Sequence, residues 1–201
     1  AAFGASVNLQ TLTLHPEAYA RFISSAGSFH SFRNTLAFGS GLLDNHFTFD
    51  VRLSGIHSDG FIDRAFSHLK SYYLSGGWHS ANTVVRALTF TGWEKTYQAW
   101  NGVPSVRLND DQAGMQRYGD HGLYSEDETR HMMFSDSRTY NLYTYDNQVD
   151  QYRQDNYQFH ITHRFSTVLH GQVAFHHTHG EGYYEQFRAG DKFSTYALPD
   201  P

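Results

Sequence analysis

The chain has 201 residues, no cysteine, a formal net charge of −5, and 16% aromatic against 17% charged residues. This composition excludes collagen, a coiled coil and a small disulfide-stabilised domain, and the many aromatic rings argue against disorder. The negative net charge and the lack of a Lys/Arg-rich run argue against a nucleic-acid partner.

Membrane helices are excluded because no stretch approaches the roughly 18 to 20 consecutive apolar residues that a spanning helix needs. A membrane β-barrel remains possible, since its strands alternate apolar and polar residues and keep average hydropathy low. The chain opens on Ala1 without an initiator Met and ends at Pro201 without a closing signal. We interpret it as an excerpt of a longer protein.

The dominant pattern is a period-two alternation that recurs every dozen residues or so and predicts an all-β protein. A first strand is expected around residues 18–28. Three hairpins follow, with strands at about residues 32–42 and 47–53, 69–78 and 83–93, and 157–165 and 169–177. We therefore expect about seven long antiparallel strands.

Connection lengths alternate along this predicted sheet. The turns near Asp44, Ala81 and Ser166 are tight, whereas the connections at 58–67 and about 95–154 are long and polar. Short turns at one end and long loops at the other are typical of outer-membrane barrels. The short connection at 28–31 is an exception.

The two predicted faces differ in character. The apolar set, expected to contact lipid, contains Phe32, Phe38, Phe47, Phe49, Val51, Val85, Ala87 and Thr89. The polar set, expected to face a lumen, contains Arg33, Thr35, Arg52 and Arg86. A soluble β-sandwich with one buried face would show the same alternation. Strands of about 10 to 12 residues with aromatic residues at their ends favour the barrel.

Several local strings carry a resemblance to a known family. The segment Phe3 to Thr11 reads FGASVNLQT, and it is followed by LKSYYLSGG from Leu69, EKTYQAWNGVP from Glu94, TYDNQVDQY from Thr144 and GEGYYEQF from Gly180. Together they resemble TonB-dependent outer-membrane receptors of the type that takes up siderophores and iron complexes.

The resemblance implies a plug domain inside a 22-stranded barrel. Residues 1–15 would be the C-terminal end of the plug, and residues 16–201 the first barrel strands, with a long extracellular loop at about 95–154. The implied function is active import of a scarce ligand, such as a siderophore or haem iron complex, across the outer membrane of a Gram-negative bacterium. The implied partners are outer-membrane lipid, the iron chelate and, through a missing N-terminal region, the TonB energy-coupling protein.

Candidate ligand-binding residues lie in the long predicted loop, where aromatic faces stack on planar ligands and arginines pair with anionic chelates. The set comprises Tyr97, Trp100, Asn101, Arg117, Tyr118 and His121, with Arg107 and Arg130 as further anion partners. The other interpretation of this loop is that it folds against its neighbours and closes the mouth of the barrel.

Fourteen histidines suggest metal or haem binding. His177 and His179 share one face of a predicted strand at a spacing suited to a metal, and His121 and His131 lie in the long loop. Ordinary rim or lumen histidines are the other interpretation, and no resident cofactor is predicted.

Enzyme signatures are lacking, since the chain contains neither a Gly-x-Ser-x-Gly elbow, a P-loop, nor His-Glu-x-x-His. We therefore predict a non-enzymatic protein. Two alternatives to the importer stay open. One is a soluble carbohydrate-binding or adhesion β-sandwich, and the other, compatible with import, is a histidine-dependent haem or metal binder.

Overall fold

The structure, a computed structural model, describes residues 14–188 and 191–199. Its main feature is one seven-stranded antiparallel sheet whose strand order follows the chain order. The strands are β1 (Tyr19–Gly27), β2 (Ser31–Gly39), β3 (Phe47–Ser58), β4 (Ser67–His79), β5 (Thr83–Tyr97), β6 (Val149–Arg164) and β7 (His170–Tyr184). Of the predicted plug segment 1–15, all but Leu14 and His15 lie outside the described residues.

The seven predicted strands are confirmed. The last five, β3 to β7, are longer than the alternation indicated, whereas β2 ends at Gly39 instead of about residue 42. Because β5 continues to Tyr97 and β6 begins at Val149, the long connection covers residues 98–148 instead of about 95–154. Within the described residues β1 and β7 do not pair with each other. The sheet is therefore open and not a closed barrel.

Tight turns join most neighbouring strands. Between β2 and β3, Asp44 and Asn45 adopt positive φ angles of 47° and 58°, a conformation that Asx residues tolerate better than most. Between β4 and β5, the backbone nitrogen of Ser80 donates to the carbonyl of Thr83 at 2.8 Å. These turns lie at the same end of the sheet, as the connection lengths predicted.

The long connection contains helices that the sequence analysis did not predict. They are α1 (Ser105–Leu108), α2 (Gln112–Asp120) and α3 (Glu126–Phe134), and a short 3₁₀ turn lies at Phe193–Tyr196. We call residues 98–148 the helical connection. None of the helices in the described ranges is long and apolar enough to cross a membrane.

The ladder register confirms which residues share a face. Phe38 pairs with Val51, and Leu36 with Leu53, so their side chains lie on one face, which we call the apolar face. Arg86 pairs with Gly77 and His160 and, like Arg33 and Arg52, belongs to the opposite, polar face. The predicted grouping of residues into two sets is therefore correct.

The apolar face is uncovered. Phe49 is 56% exposed and Phe175 is 62% exposed, although both are large apolar side chains in regular strands. Other exposed members are Phe22, Phe32, Leu36, Phe38, Phe47, Leu53, Leu74, Trp78, Tyr157, Phe159 and Val173. The described residues provide no second sheet over this face, and the buried apolar clusters lie instead in and below the helical connection.

Candidate functional site

The helical connection has an apolar core of its own. Met115, Met132 and Tyr140 are fully buried there, and they bring α2, α3 and the segment after α3 together. The half-buried residues around this core are Val103, Val106, Tyr118, Tyr124, Met133 and Leu142. The connection is thus a compact unit and not an extended loop.

Local sequence explains both longer helices. The Asp111 carboxylate accepts a hydrogen bond from the backbone nitrogen of Gly114 at the start of α2. At the start of α3, the Ser125 hydroxyl accepts from the backbone nitrogen of Glu128, and the Glu128 carboxylate accepts from that of Ser125. This capping box satisfies two backbone donors that a helix start leaves free.

A second apolar cluster joins this unit to the sheet. It contains Tyr97 at the end of β5, Val149 at the start of β6, and Tyr143, with Phe66 and Leu142 packed against them. The Tyr97 hydroxyl donates to the carbonyl of Tyr145 at 2.7 Å. Because Leu142 packs against both clusters, the helical unit is held directly on the end of the sheet opposite the tight turns.

Polar contacts fix the same junction. The Arg64 guanidinium donates twice to the carbonyl of Tyr143, at 3.0 and 2.9 Å. The Asn141 amide donates to the carbonyls of Asp63 and Gln98 at 2.8 and 3.0 Å. The β3–β4 connection is therefore bound to the helical connection, and the two form one surface.

The structure divides the predicted ligand-binding set. Tyr97 is only 5% exposed, and Tyr118 packs against the methionine core, so both have structural contacts. Trp100, Asn101, Arg117 and His121 are exposed. Arg117 and His121 lie on and just after α2, whereas Trp100 lies beside the sheet, so the exposed members occupy two separate regions.

Trp100 belongs to a group of aromatic rings at the end of the sheet opposite the tight turns. Its ring meets Tyr143 and Tyr184 edge to face, with centroids 6.2 and 5.7 Å apart. Nearby in sequence, Tyr145 stacks on Phe187 with centroids 3.7 Å apart. We call Trp100, Tyr145, Tyr184 and Phe187 the aromatic rim, because all four are exposed and can offer ring surface to a ligand.

Three of the four arginines of the helical connection are paired with aspartates. Arg107 contacts Asp110 at 2.8 Å and is buried, and Arg117 contacts Asp111 at 3.7 Å. Arg130 contacts Asp127 at 3.6 Å. Residues 98–148 hold four arginines and eight carboxylates, so the unit is acidic. An anionic chelate would have to compete with these aspartates, and a neutral or cationic ligand would not.

The candidate metal residues His177 and His179 are exposed on β7, where their shared face is the apolar one. The His177 ring stacks on Tyr157, with centroids 6.2 Å apart. Among residues 14–188 and 191–199, no three His, Cys, Asp or Glu side chains are grouped so that they could hold a metal ion. His131 instead contacts the carbonyl of Asn141 at 3.0 Å.

Three other side chains join the connections at the end of the sheet opposite the tight turns. The sequence analysis did not predict this contact. Asp59, after β3, lies 2.5 Å from Nδ1 of His30 in the β1–β2 turn and 3.4 Å from Nε2 of His57. The hydrogen bond with His30 holds the pKa of the Asp59 carboxyl below its usual value. This His–Asp–His clasp joins the β1–β2 turn to the surface formed by the β3–β4 and helical connections.

The polar face contains a recess of about 260 Å³ near the tight turns. Its lining residues are Leu14, Thr48, Asp50, His79, Val84, Arg86, His160, Thr162 and Gln172. Thr48 and His79 are in hydrogen-bond contact at 3.1 Å, and Arg86 donates to the Tyr73 hydroxyl at 2.9 Å. Thr48 with His79, and Arg86 with Tyr73, thus satisfy one another on this face, whereas Nδ1 of His160 is buried without a hydrogen-bond partner among the residues that the structure describes.

Comparison with known proteins gave no match to a family profile, a curated protein or a solved structure.

Proposed function

We propose that this sheet is part of the wall of an outer-membrane, TonB-dependent importer, with its apolar face in lipid and its polar face lining the lumen. The observation that carries the proposal is the uncovered apolar face. Water-exposed patches of that size and continuity are rare in soluble monomers and mark contact with a membrane or a partner. Lipid contact requires no further layer of protein.

On the apolar face, the apolar and aromatic side chains form a continuous band across the sheet, which we call the apolar band. Its shape supports lipid contact over a protein partner. One transverse row of paired residues begins at Phe22 and passes through Leu36, Leu53, Tyr72, Thr91 and Asp155 to His179. It is apolar or aromatic on β1 to β4 and polar on β5 to β7. A row nearer the tight turns stays apolar, from Phe47 through Trp78, Val85 and Ile161 to Val173. The band therefore crosses the sheet obliquely.

Strand tilt gives a physical reason for this slope. A horizontal lipid layer crosses strands inclined at about 40° at positions that shift by about one residue per strand, or about six residues over six steps. On β7 the band ends at Phe175. This residue lies four positions closer to the tight turns than His179, which belongs to the row that begins at Phe22. The observed shift of four residues is of the order that a tilted barrel wall gives.

The open edges fit the same proposal. An unpaired edge strand cannot satisfy its backbone polar groups in lipid, so β1 and β7 must pair with further strands. The family resemblance supplies a 22-stranded barrel for this closure, with a plug in its lumen. The polar face, with its small hydroxyl residues and arginines, suits a hydrated or plug-filled interior.

The helical connection would then lie outside the cell, at the entrance. We propose that it binds the ligand through its exposed aromatic rings and passes it to a plug moved by the TonB energy-coupling protein, without catalysis. An iron chelate remains the proposed cargo. Since three of its four arginines are paired and the unit is acidic, a neutral or cationic chelate fits better than an anionic one.

The soluble β-sandwich is the competing proposal, and it requires a second sheet over the apolar face. Fractionation of Gram-negative cells that produce the intact protein separates the two. We expect the protein to sediment with outer membranes and to resist alkaline carbonate extraction. Recovery in the soluble fraction without detergent would contradict the importer.

The ligand-binding role has its own test. Trp100→Ala should reduce uptake of a neutral or cationic ferric hydroxamate while the amount of protein in the outer membrane stays constant. The matched control is Phe134→Ala, since Phe134 is 84% exposed on the same helical connection but outside the aromatic rim. Equal uptake by both variants and the parent would contradict the role of the rim.

A further inference from the structure

Two of the chain's three lysines lie side by side on the apolar face. Lys70 on β4 pairs with Trp93 on β5, and Lys95, two residues beyond Trp93, pairs with His68. His68 also pairs with His57 on β3. We call His57, His68, Lys70 and Lys95 the basic patch. It lies just beyond Leu53 and Tyr72, where the apolar band ends toward the long connections.

The two lysines of the patch are free to bind an anion. Within the described residues neither lysine has a carboxylate within 4 Å. The Lys70 ammonium instead lies 5.4 Å from the centre of the Trp93 ring, a cation–π contact that keeps it at the surface.

In the part of the chain that the structure describes, no carboxylate near the basic patch neutralises its two lysines. The rings of His57 and His68 pack with centroids 4.6 Å apart. The nearby carboxylates do not contact the two lysines: Asp59 contacts His30 and the patch member His57, and Asp155 contacts Arg153 at 3.0 Å. Glu94 belongs to the opposite face, because it neighbours Trp93 and Lys95 in one strand.

Position and chemistry together indicate an anionic headgroup. A lysine ammonium is a compact charge suited to phosphate, and tryptophan is enriched at the level of lipid headgroups. We propose that the basic patch binds a phosphate of an outer-leaflet glycolipid of the lipid A type, whose acyl chains would lie along the apolar band. This inference rests on the proposed membrane function, which places the long connections outside the cell.

The test uses the intact protein, purified from outer membranes in mild detergent, and counts bound lipid A by mass spectrometry. The double variant Lys70→Gln/Lys95→Gln should bind lipid A about 30-fold more weakly, since each lysine near a charged membrane surface contributes about fivefold. Lys192→Gln is the matched control, because Lys192 is the third lysine and lies outside the sheet. It should retain lipid A as the parent does.

Added ligands identify the source of the phosphate. Lipid A should restore binding to delipidated protein, whereas lipid A without its phosphates should not. Displacement of lipid A by millimolar inorganic phosphate would overturn the lipid assignment, and so would equal lipid A retention by parent and double variant in the membrane. Absence of the protein from the outer membrane would refute the proposed function and this inference with it.

Discussion

Phe49 and Ser71 show how single residues differ in their surroundings on the two faces. Phe49 lies exposed in the apolar band, and Ser71 lies exposed on the polar face of the neighbouring strand. Phe49→Arg should cost about 2 to 4 kcal/mol in lipid and strongly lower the yield of assembled protein in the outer membrane. Ser71→Arg should have little effect.

Ser71 is a better control than Thr48, the residue next to Phe49. Thr48 is only 9% exposed and contacts His79, so an arginine there would disrupt packing regardless of lipid. Similar losses of outer-membrane protein for Phe49→Arg and Ser71→Arg would show that the apolar face does not contact lipid.

The His–Asp–His clasp predicts a dependence on pH. The pKa of Asp59 is lowered in the folded protein, chiefly by its hydrogen bond with His30. Its contribution to stability is therefore fully present above the carboxyl's unfolded pKa of about 3.9 and is lost as pH falls through the folded value. We expect the protection factors of amides in the β1–β2 turn, measured against the unprotected exchange rate at the same pH, to fall upon acidification through this range.

Asp59→Asn should remove that acid-dependent step and leave the turn less protected already at neutral pH. Asp127→Asn removes a carboxylate from an exposed pair with Arg130 in α3 and is the matched control. A turn whose exchange follows the same pH profile in parent and Asp59→Asn would show that the clasp does not hold it.

At the scale of elements, the helical connection should be stabilised by its own core. Met132 is fully buried and Met133, the next residue, is half-buried at the edge of the same core. Met132→Ala should destabilise the connection by about 2 to 5 kcal/mol. We expect rapid proteolysis between α2 and α3, with the sheet intact.

Met133→Ala should remain much closer to the parent in the same proteolysis assay. If cleavage between α2 and α3 is equally slow in both variants, the connection is held by the sheet and not by its methionine core.

The sequence predicted the strands well and the helical connection poorly, for different physical reasons. A strand repeats its pattern every two residues, so a segment such as Phe47 to Leu53 contains several repeats. Helices α2 and α3 have nine residues each, and their core joins Met115 to Met132 and Tyr140 across the chain, which no local pattern shows. The Ser125–Glu128 capping box was the available signal.

For the candidate site, too, the local sequence carries some features and not others. The sequence analysis assigned Arg107 and Arg130 to an anionic ligand, although each has an aspartate three residues away, a spacing that allows the pairs seen with Asp110 and Asp127. Burial could not be predicted in this way. Tyr97 and Trp100 are both aromatic residues near the end of β5, yet Tyr97 is enclosed by residues from the far end of the connection and Trp100 is not.

At the scale of the whole molecule, the proposal predicts opposite sides of the membrane for the two ends of the sheet. Gly122, between α2 and α3, is exposed with a φ of 66° and has open space around it, which suits an inserted epitope tag. We expect this tag to be accessible on intact cells, and a tag at Ala81, in the β4–β5 turn, to be accessible only from the periplasm.

Folded yield of each tagged protein in outer membranes provides the control for the insertions. A Gly122 tag that only a periplasmic probe reaches would reverse the orientation and contradict the proposed entrance.

The chain-order sheet has a consequence for the kinetics of its assembly. Every pairing closes a short turn or loop except that of β5 with β6, which must first bring together the ends of residues 98–148. The entropy of closing a flexible loop grows with its length, by about 0.6 kcal/mol for each doubling. Helices that collapse on Met115 and Met132 shorten the flexible part, so we expect β1–β5 and β6–β7 to form as separate units. Formation of the helical connection would then set the rate at which they join.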